Sequence, residues 1–189
     1  MLDVAVRRLP LALNLPVTFR QLDAQTDDLG QGVFDAAFSR FGVMFFSEPV
    51  TGFANIRKSL KPGGRFAFVC WPTLSDNPWM AVPLQAALPF IPPVEPFDPI
   101  APGPFAFADG QRVRTMLVDA GFGPVEIRPF DSEIGGGDLE QTLKLAGAPG
   151  RVLREHPALT DTVADAVKGA LTKYVTPHGV LMPAAFGLF

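Results

Sequence analysis

A single cysteine, Cys70, stands in 189 residues, so no disulfide can close within the chain and no cysteine-based metal cluster can form. A reducing, cytoplasmic setting is the expectation that follows. Long apolar runs are missing as well: nowhere do about 18 apolar residues follow one another, so no transmembrane helix is expected. Arg7 and Arg8 precede the apolar stretch Leu9 to Leu15, but Pro10 and Pro16 interrupt it and no small-residue cleavage site follows, which argues against a signal peptide. Runs of Lys or Arg are absent and the formal net charge is −3, so the electrostatic footprint of a nucleic-acid binder is missing. Neither nucleic acid nor a membrane is therefore an expected partner.

Several kinds of chemistry are excluded in the same way. No Gly-x-Ser-x-Gly elbow is available for a serine hydrolase. His156 and His178 have no second histidine three or four residues away, so no metal site is expected and both read as ordinary surface or loop residues. Gly135, Gly136 and Gly137 precede no phosphate-loop lysine, which argues against a nucleotide cradle.

What is present is a globular composition, 48% apolar and 19% charged, in a chain of a size that buries one core. One domain spanning residues 1–189 is expected. Met1 to Leu13 reads as a weak helix, and the alternation in Val17 to Leu22 as a strand. Phe34 to Ser39 is a short buried strand bounded by turn signals. Pro49 suits a first helical turn, and Val50, Phe53, Ile56 and Leu60 recur at helical spacing until Pro62-Gly63-Gly64 stops the helix.

Arg65 to Trp71 is the most apolar strand, as expected for a parallel sheet covered on both faces. Prolines then crowd a stretch of about 72–104, read as an insertion or lid in which only Trp79 to Leu88 suits a helix. Asp109 can cap a helix carrying Val113, Met116, Leu117 and Ala120, closed by Gly121. A strand at Val125 to Phe130, a flexible joint at Gly135 to Gly137, an amphipathic helix from Leu159 to Tyr174 and a strand from Val180 to Phe189 complete the reading. Strands alternating with helices predict an α/β fold.

Three segments follow one another in a telling order: Phe19 to Gln25 with its Asp23-Ala24-Gln25 turn, Phe34 to Phe46, and Leu60 to Trp71 with its Lys61-Pro62-Gly63-Gly64 turn. Together they resemble the third, fourth and fifth strands of class I S-adenosylmethionine-dependent methyltransferases, and the Lys-Pro-Gly-Gly turn is similar to that of the small-molecule subgroup. Ala108 to Phe122 resembles the helix and Ala-Gly-Phe turn before the family's sixth strand. The resemblance implies a Rossmann-like three-layer αβα sheet, incomplete and lacking its first two strands. It also implies S-adenosylmethionine as cofactor and a small-molecule methyl acceptor as partner.

By position, the resemblance gives Asp23 the hydrogen bond to the adenine amino group, with Ala24 supplying a backbone amide and Gln25 following in the same turn. A carboxylate is chemically suited to accept from an exocyclic amine. Ser39, Arg40 and Phe41 would lie under the methionine half of the cofactor, beyond the carboxyl end of a strand where ligands of such sheets bind. Trp71, Asn77, Trp79 and Met80 fall where the family places its substrate-facing loop. Each position also has an ordinary structural reading: Asp23 as an Asx turn, Ser39 as a strand end, Arg40 as half of a surface ion pair, and Phe41 to Phe46 as core. The aromatic residues after the fifth strand suit lid packing as well as substrate stacking.

The glycine-rich loop that the family uses against the cofactor has no counterpart in the sequence. The chain is therefore expected to start beyond that loop as a truncated domain, and no catalytic base can be named. The functional expectations are methyl transfer to a small molecule or, alternatively, a non-catalytic remnant serving as a binding or assembly module. An incomplete sheet leaves an unpaired apolar edge, so Val17 to Leu22 is expected to pair beside Phe34, or else the chain to self-associate.

Overall fold

A computed structural model describes residues 4, 6–7, 16–93, 98–135, 137–145 and 156–189. Strand β1 (Phe34–Arg40) pairs in parallel with β2 (Leu60–Cys70), and helix α1 (Pro49–Ser59) makes the crossover between them. Pro49 opens α1 where its missing N–H costs nothing, and Arg57 and Lys58 complement the dipole in the last turn. The helix does not wait for Pro62 to end. Leu60 is already extended and enters β2 with no intervening loop, so the Lys-Pro-Gly-Gly segment lies within the strand. The register slips there, between the Phe34–Leu60 and Ala36–Arg65 pairs, and such an irregularity tolerates a proline.

After β2 come α2 (Pro78–Ala87) and α3 (Gly110–Asp119). Asp109 caps α3 as expected, its side chain accepting from the amides of Gln111 (2.9 Å) and Arg112 (3.1 Å). Gly121 takes φ +86° at the far end, where the Gly121 and Phe122 amides return to the Val118 and Leu117 carbonyls. Strand β3 runs over Arg128–Gly135 instead of starting at Val125. The carbonyl of Val125 is taken by Arg114, and the antiparallel ladder with the last strand begins only at Arg128.

Helices α4 (Leu139–Leu145) and α5 (Thr160–Leu171) precede the short β4 (Val175–Thr176) and the long β5 (Gly179–Leu188). The strand order is β1-β2-β5-β3, with β4 paired to β5. Gly135 is not a free joint: a Cβ there would sit 1.8 Å from the Val180 carbonyl oxygen, so only glycine closes the end of β3 on β5. Gly136 lies outside the described residues.

Two buried clusters form. In the first, Phe53 and Ile56 of α1 and Val113, Met116 and Leu117 of α3 pack on Phe68 and Cys70 of β2. In the second, Ala87 of α2 and Val163, Val167 and Leu171 of α5 pack on Val180 and Met182 of β5. Cys70 pairs with Gly187 and so shares a face with it, which puts Val180 and Met182 on the opposite face. Helices thus cover one face beside β1 and β2 and the other face beside β5. The architecture is α/β and Rossmann-like, with helical layers on both sides of one sheet.

The proline-rich stretch is not all lid: Ala81, Ala87 and Ile91 are buried, and the Gly103 amide donates to the Met44 carbonyl at 3.0 Å. Residues 94–97 lie outside the described residues, as does most of the expected N-terminal helix, of which Val4, Val6 and Arg7 are helical.

The expected strand at Val17–Leu22 does not form, and the segment does not move beside Phe34. The turn that follows it is fastened to α1 through Asn55, which donates to the carbonyls of Ala24 (3.0 Å) and Asp27 (2.9 Å). That anchorage ties the segment's end to the helix layer and not to the strand edge. Beyond β1 the sheet has no further strand among the described residues.

Phe53 is fully buried and its ring lies within 5.6–6.1 Å of the rings of Phe46, Phe66, Phe68 and Phe107. Phe53→Ala is expected to cost about 3–5 kcal/mol of unfolding free energy in urea titration, because the four surrounding rings cannot collapse into the vacated space.

Candidate active site at the carboxyl ends of the parallel strands

β1 and β2 are parallel, so the residues after Arg40 and Cys70 emerge at the same end of the sheet, where open α/β sheets bind ligands. Phe41 follows β1 in the left-handed region (φ +57°), an unusual state for a bulky residue. Its ring lies flat on Trp71, with centroids 4.1 Å apart and planes 4° apart. Trp71, only 8% exposed, also meets Trp79 at 5.0 Å and Phe186 at 4.9 Å. Phe41 is half-buried and Arg40 exposed; the Ser39 hydroxyl accepts from the Val43 amide at 3.3 Å. Ser39 thereby braces the turn that carries Phe41.

The Asp23 turn reaches the same region by a different route. Asp23 Oδ1 accepts from the Gln25 amide at 2.8 Å, which is an Asx turn, and the Asp23 amide donates to Asp27 Oδ2 at 2.8 Å. Gln25 then crosses to α1: its Oε1 accepts from the Glu48 amide at 2.9 Å and its amide exchanges hydrogen bonds with the Ser47 hydroxyl. Since α1 starts at the end into which β1 feeds, this bridge holds the turn beside the Ser39–Phe41 corner. Asp23 itself is exposed, and its Oδ2 takes none of these bonds.

Asn77 is the one enclosed polar group of the loop after β2, 0% exposed. Its Oδ1 accepts from Trp79 Nε1 (3.3 Å) and the Ala185 amide (3.1 Å), and its Nδ2 donates to the Thr73 carbonyl (3.0 Å). Trp79 and Met80 are half-buried beside it. Of the four residues expected to face a substrate, Asn77 therefore serves as a brace between loop and β5, Trp71 is its packed neighbour, and Trp79 and Met80 retain exposed surface.

Two cavities flank this framework. One of about 430 Å³ is lined by Pro72, Asp76, Phe107, Phe186 and Phe189 among others, next to the loop after β2. A larger one, about 720 Å³, lies at the opposite end of β2 among Arg57, Lys58, Lys61, Gly63 and Gly64, away from every residue just described. Of the residues just described, only Ala185 and Phe186 line the smaller one, whereas Phe41, Trp71, Asn77, Trp79 and Met80 do not.

Among the described residues no group of three or more metal-ligating side chains occurs, and no helix is long and apolar enough to cross a membrane. Cys70 lies against the Phe107 and Gly187 carbonyls, and burial pushes its thiol up to about 12.

Sequence reasoning did not find Gln25 as a bridge to Ser47 and Glu48, nor Asn55 as the anchor of the turn. A glutamine that caps a helix from 23 positions upstream leaves no local signal.

Residues 1–68 match the family model described as Methyltransferase domain. Among solved structures, a candidate methyltransferase from Bacillus halodurans C-125 is similar over 91% of this chain and 75% of its own, at 17% identity and a TM-score of 0.52. The (4+2)-cyclase SpnF is similar over 98% and 60%, at 16% identity and 0.42. Phosphoethanolamine N-methyltransferase 2 of Haemonchus contortus, solved with phosphomonomethylethanolamine and S-adenosylhomocysteine, is similar over 88% and 35%, at 15% identity and 0.38. No curated protein matches the sequence. The chain has the fold of the class I S-adenosylmethionine-dependent methyltransferases.

Two outcomes test the framework of this site. Asn77→Ala is expected to cost about 1–3 kcal/mol, since it strips the acceptor from two donors, and to shift tryptophan emission to the red as Trp79 loosens. Cys70, held as a thiol by burial, is expected to resist thiol reagents at pH 8 in the folded protein and to react at once when unfolded.

Proposed function

We propose that this site transfers a methyl group from S-adenosylmethionine to a small molecule. Bound S-adenosylmethionine would supply the electrophilic methyl. The residues present fit the two ends of that molecule. The exposed Asp23 carboxylate keeps an oxygen for an exocyclic amine, Ala24 continues the turn, and Gln25 holds both in place. At the other end, Arg40 and the braced Ser39 offer polar groups beside the Phe41 ring. The observation that carries the reading is the Gln25 bridge, because it brings a separate turn to the strand end where Ser39, Arg40 and Phe41 already lie.

The acceptor would approach from the loop after β2, over the exposed parts of Trp79 and Met80. Trp71 and Asn77 set the position of that wall. Transfer of this kind depends chiefly on alignment of two bound molecules, so no residue is assigned as a base. A single buried cysteine and the acidic balance suit a cytoplasmic protein acting on a small molecule.

A second reading, a non-catalytic binding or assembly module of the same descent, is favoured by two features. The sequence holds no Gly-x-Gly-x-Gly loop for the middle of the cofactor, and the Phe41–Trp71 stack closes part of the strand end. Calorimetric titration with S-adenosylhomocysteine separates the two. Methyl transfer requires micromolar binding that weakens about tenfold or more in Asp23→Ala, the loss of one charged hydrogen bond. A folded chain that gives no heat would leave the non-catalytic module.

A further inference from the structure

The open side of β1 between Phe34 and Phe38 carries a surface that the proposed methyl transfer does not use. The Val33 amide donates to the Ser59 carbonyl and the Phe41 amide to Val69, so the odd-numbered peptide groups of this strand face β2. The peptide groups of Phe34, Ala36, Phe38 and Arg40 therefore point outward, where no strand lies among the described residues. Their side chains share one face, and on it Phe34 is 46% and Phe38 65% exposed. The usual guards of an edge, a proline or a lysine, are absent from Phe-Asp-Ala-Ala-Phe-Ser-Arg.

We propose that this edge docks a second copy of the chain, the two β1 strands running antiparallel about a two-fold axis at Ala36. The proposal is independent of the methyl-transfer reading. What selects a second copy as occupant is the self-complementarity of the segment. With Ala36 on the axis, Phe34 stands opposite the partner's Phe38 and Phe38 opposite the partner's Phe34, giving two cross-strand aromatic pairs on the exposed face.

The outward peptide groups meet as hydrogen-bonded pairs in that register. Asp35 falls against the partner's Ala37 and is already neutralised by its own Lys61 at 2.8 Å, which holds its carboxyl below the usual range. No like charges oppose one another. Centring the axis on Ala37 instead would set Phe34 against the partner's Arg40 and forfeit both aromatic pairs.

The register gives a direct test. Hydrogen-bonded antiparallel partners have Cα atoms about 5.5 Å apart, within disulfide reach, and the native Cys70 is buried and does not compete. Ala36→Cys and Ala37→Cys are each purified reduced, mildly oxidised and run on non-reducing gels, with light scattering on the native chain and circular dichroism on all variants. The native chain is expected to be a dimer, Ala36→Cys to form a covalent dimer, and Ala37→Cys to cross-link poorly. Phe38→Glu, at an exposed position, is expected to weaken the dimer at least tenfold with the fold intact. A native chain that stays monomeric, one that forms species larger than a dimer, or cross-linking by Ala37→Cys in place of Ala36→Cys would overturn the proposal.

Discussion

A pair of main-chain hydrogen bonds between Phe68 and Phe189, each 3.0 Å, joins the two halves of this molecule. β5 pairs with β3 along eight positions but meets β2 at only two, Val69 with Leu188 and Cys70 with Gly187. The Phe68–Phe189 bonds extend that short seam, and the two rings stack at 4.7 Å with planes 2° apart. On one side of the seam lies the core of α1 and α3, on the other that of α2 and α5. Cys70, buried against the Gly187 carbonyl, fills the junction as a small apolar residue whose ionisation is suppressed.

The candidate site depends on this seam through Asn77. Because the seam fixes β5 against β2, the Ala185 amide stands where the Asn77 side chain can accept from it. Asn77 in turn accepts from Trp79, whose ring meets Trp71, and Trp71 carries the flat stack with Phe41. Main-chain pairing at the strand edge is thus transmitted, contact by contact, to the residue that adopts a left-handed backbone at the end of β1. The cost of that conformation, of order 1 kcal/mol for a non-glycine residue, is offset by the stacking it permits.

Much of the fold was legible from residue types alone. β1, α1 as far as Ser59, α3 with its Asp109 cap and Gly121 stop, α5 and β5 lie where periodicity and punctuation put them, because those signals are local. β1 is not the buried strand expected, however: with no strand beyond it among the described residues, Phe34 and Phe38 are exposed. The misses were set by neighbours. Val17 to Leu22 alternates like a strand, yet Asn55 binds the following turn to α1 and no ladder forms. β3 begins at Arg128 because β5 supplies its partners only from there. At the candidate site, Asp23, Ser39 and Phe41 were named only through their resemblance to a family pattern, whereas Gln25's bridge to Glu48 and Asn77's burial depend on folded geometry that spacing does not encode.

The central claim is that the Asp23 turn and the end of β1 form one binding surface. Amide chemical-shift mapping of the folded chain during addition of S-adenosylhomocysteine tests it most directly. The account predicts shifts concentrated at residues 23–25 and 39–41, with Trp79 and Met80 following. Shifts confined to the Arg57–Gly64 cavity, or a spectrum unmoved at saturating ligand, would contradict it.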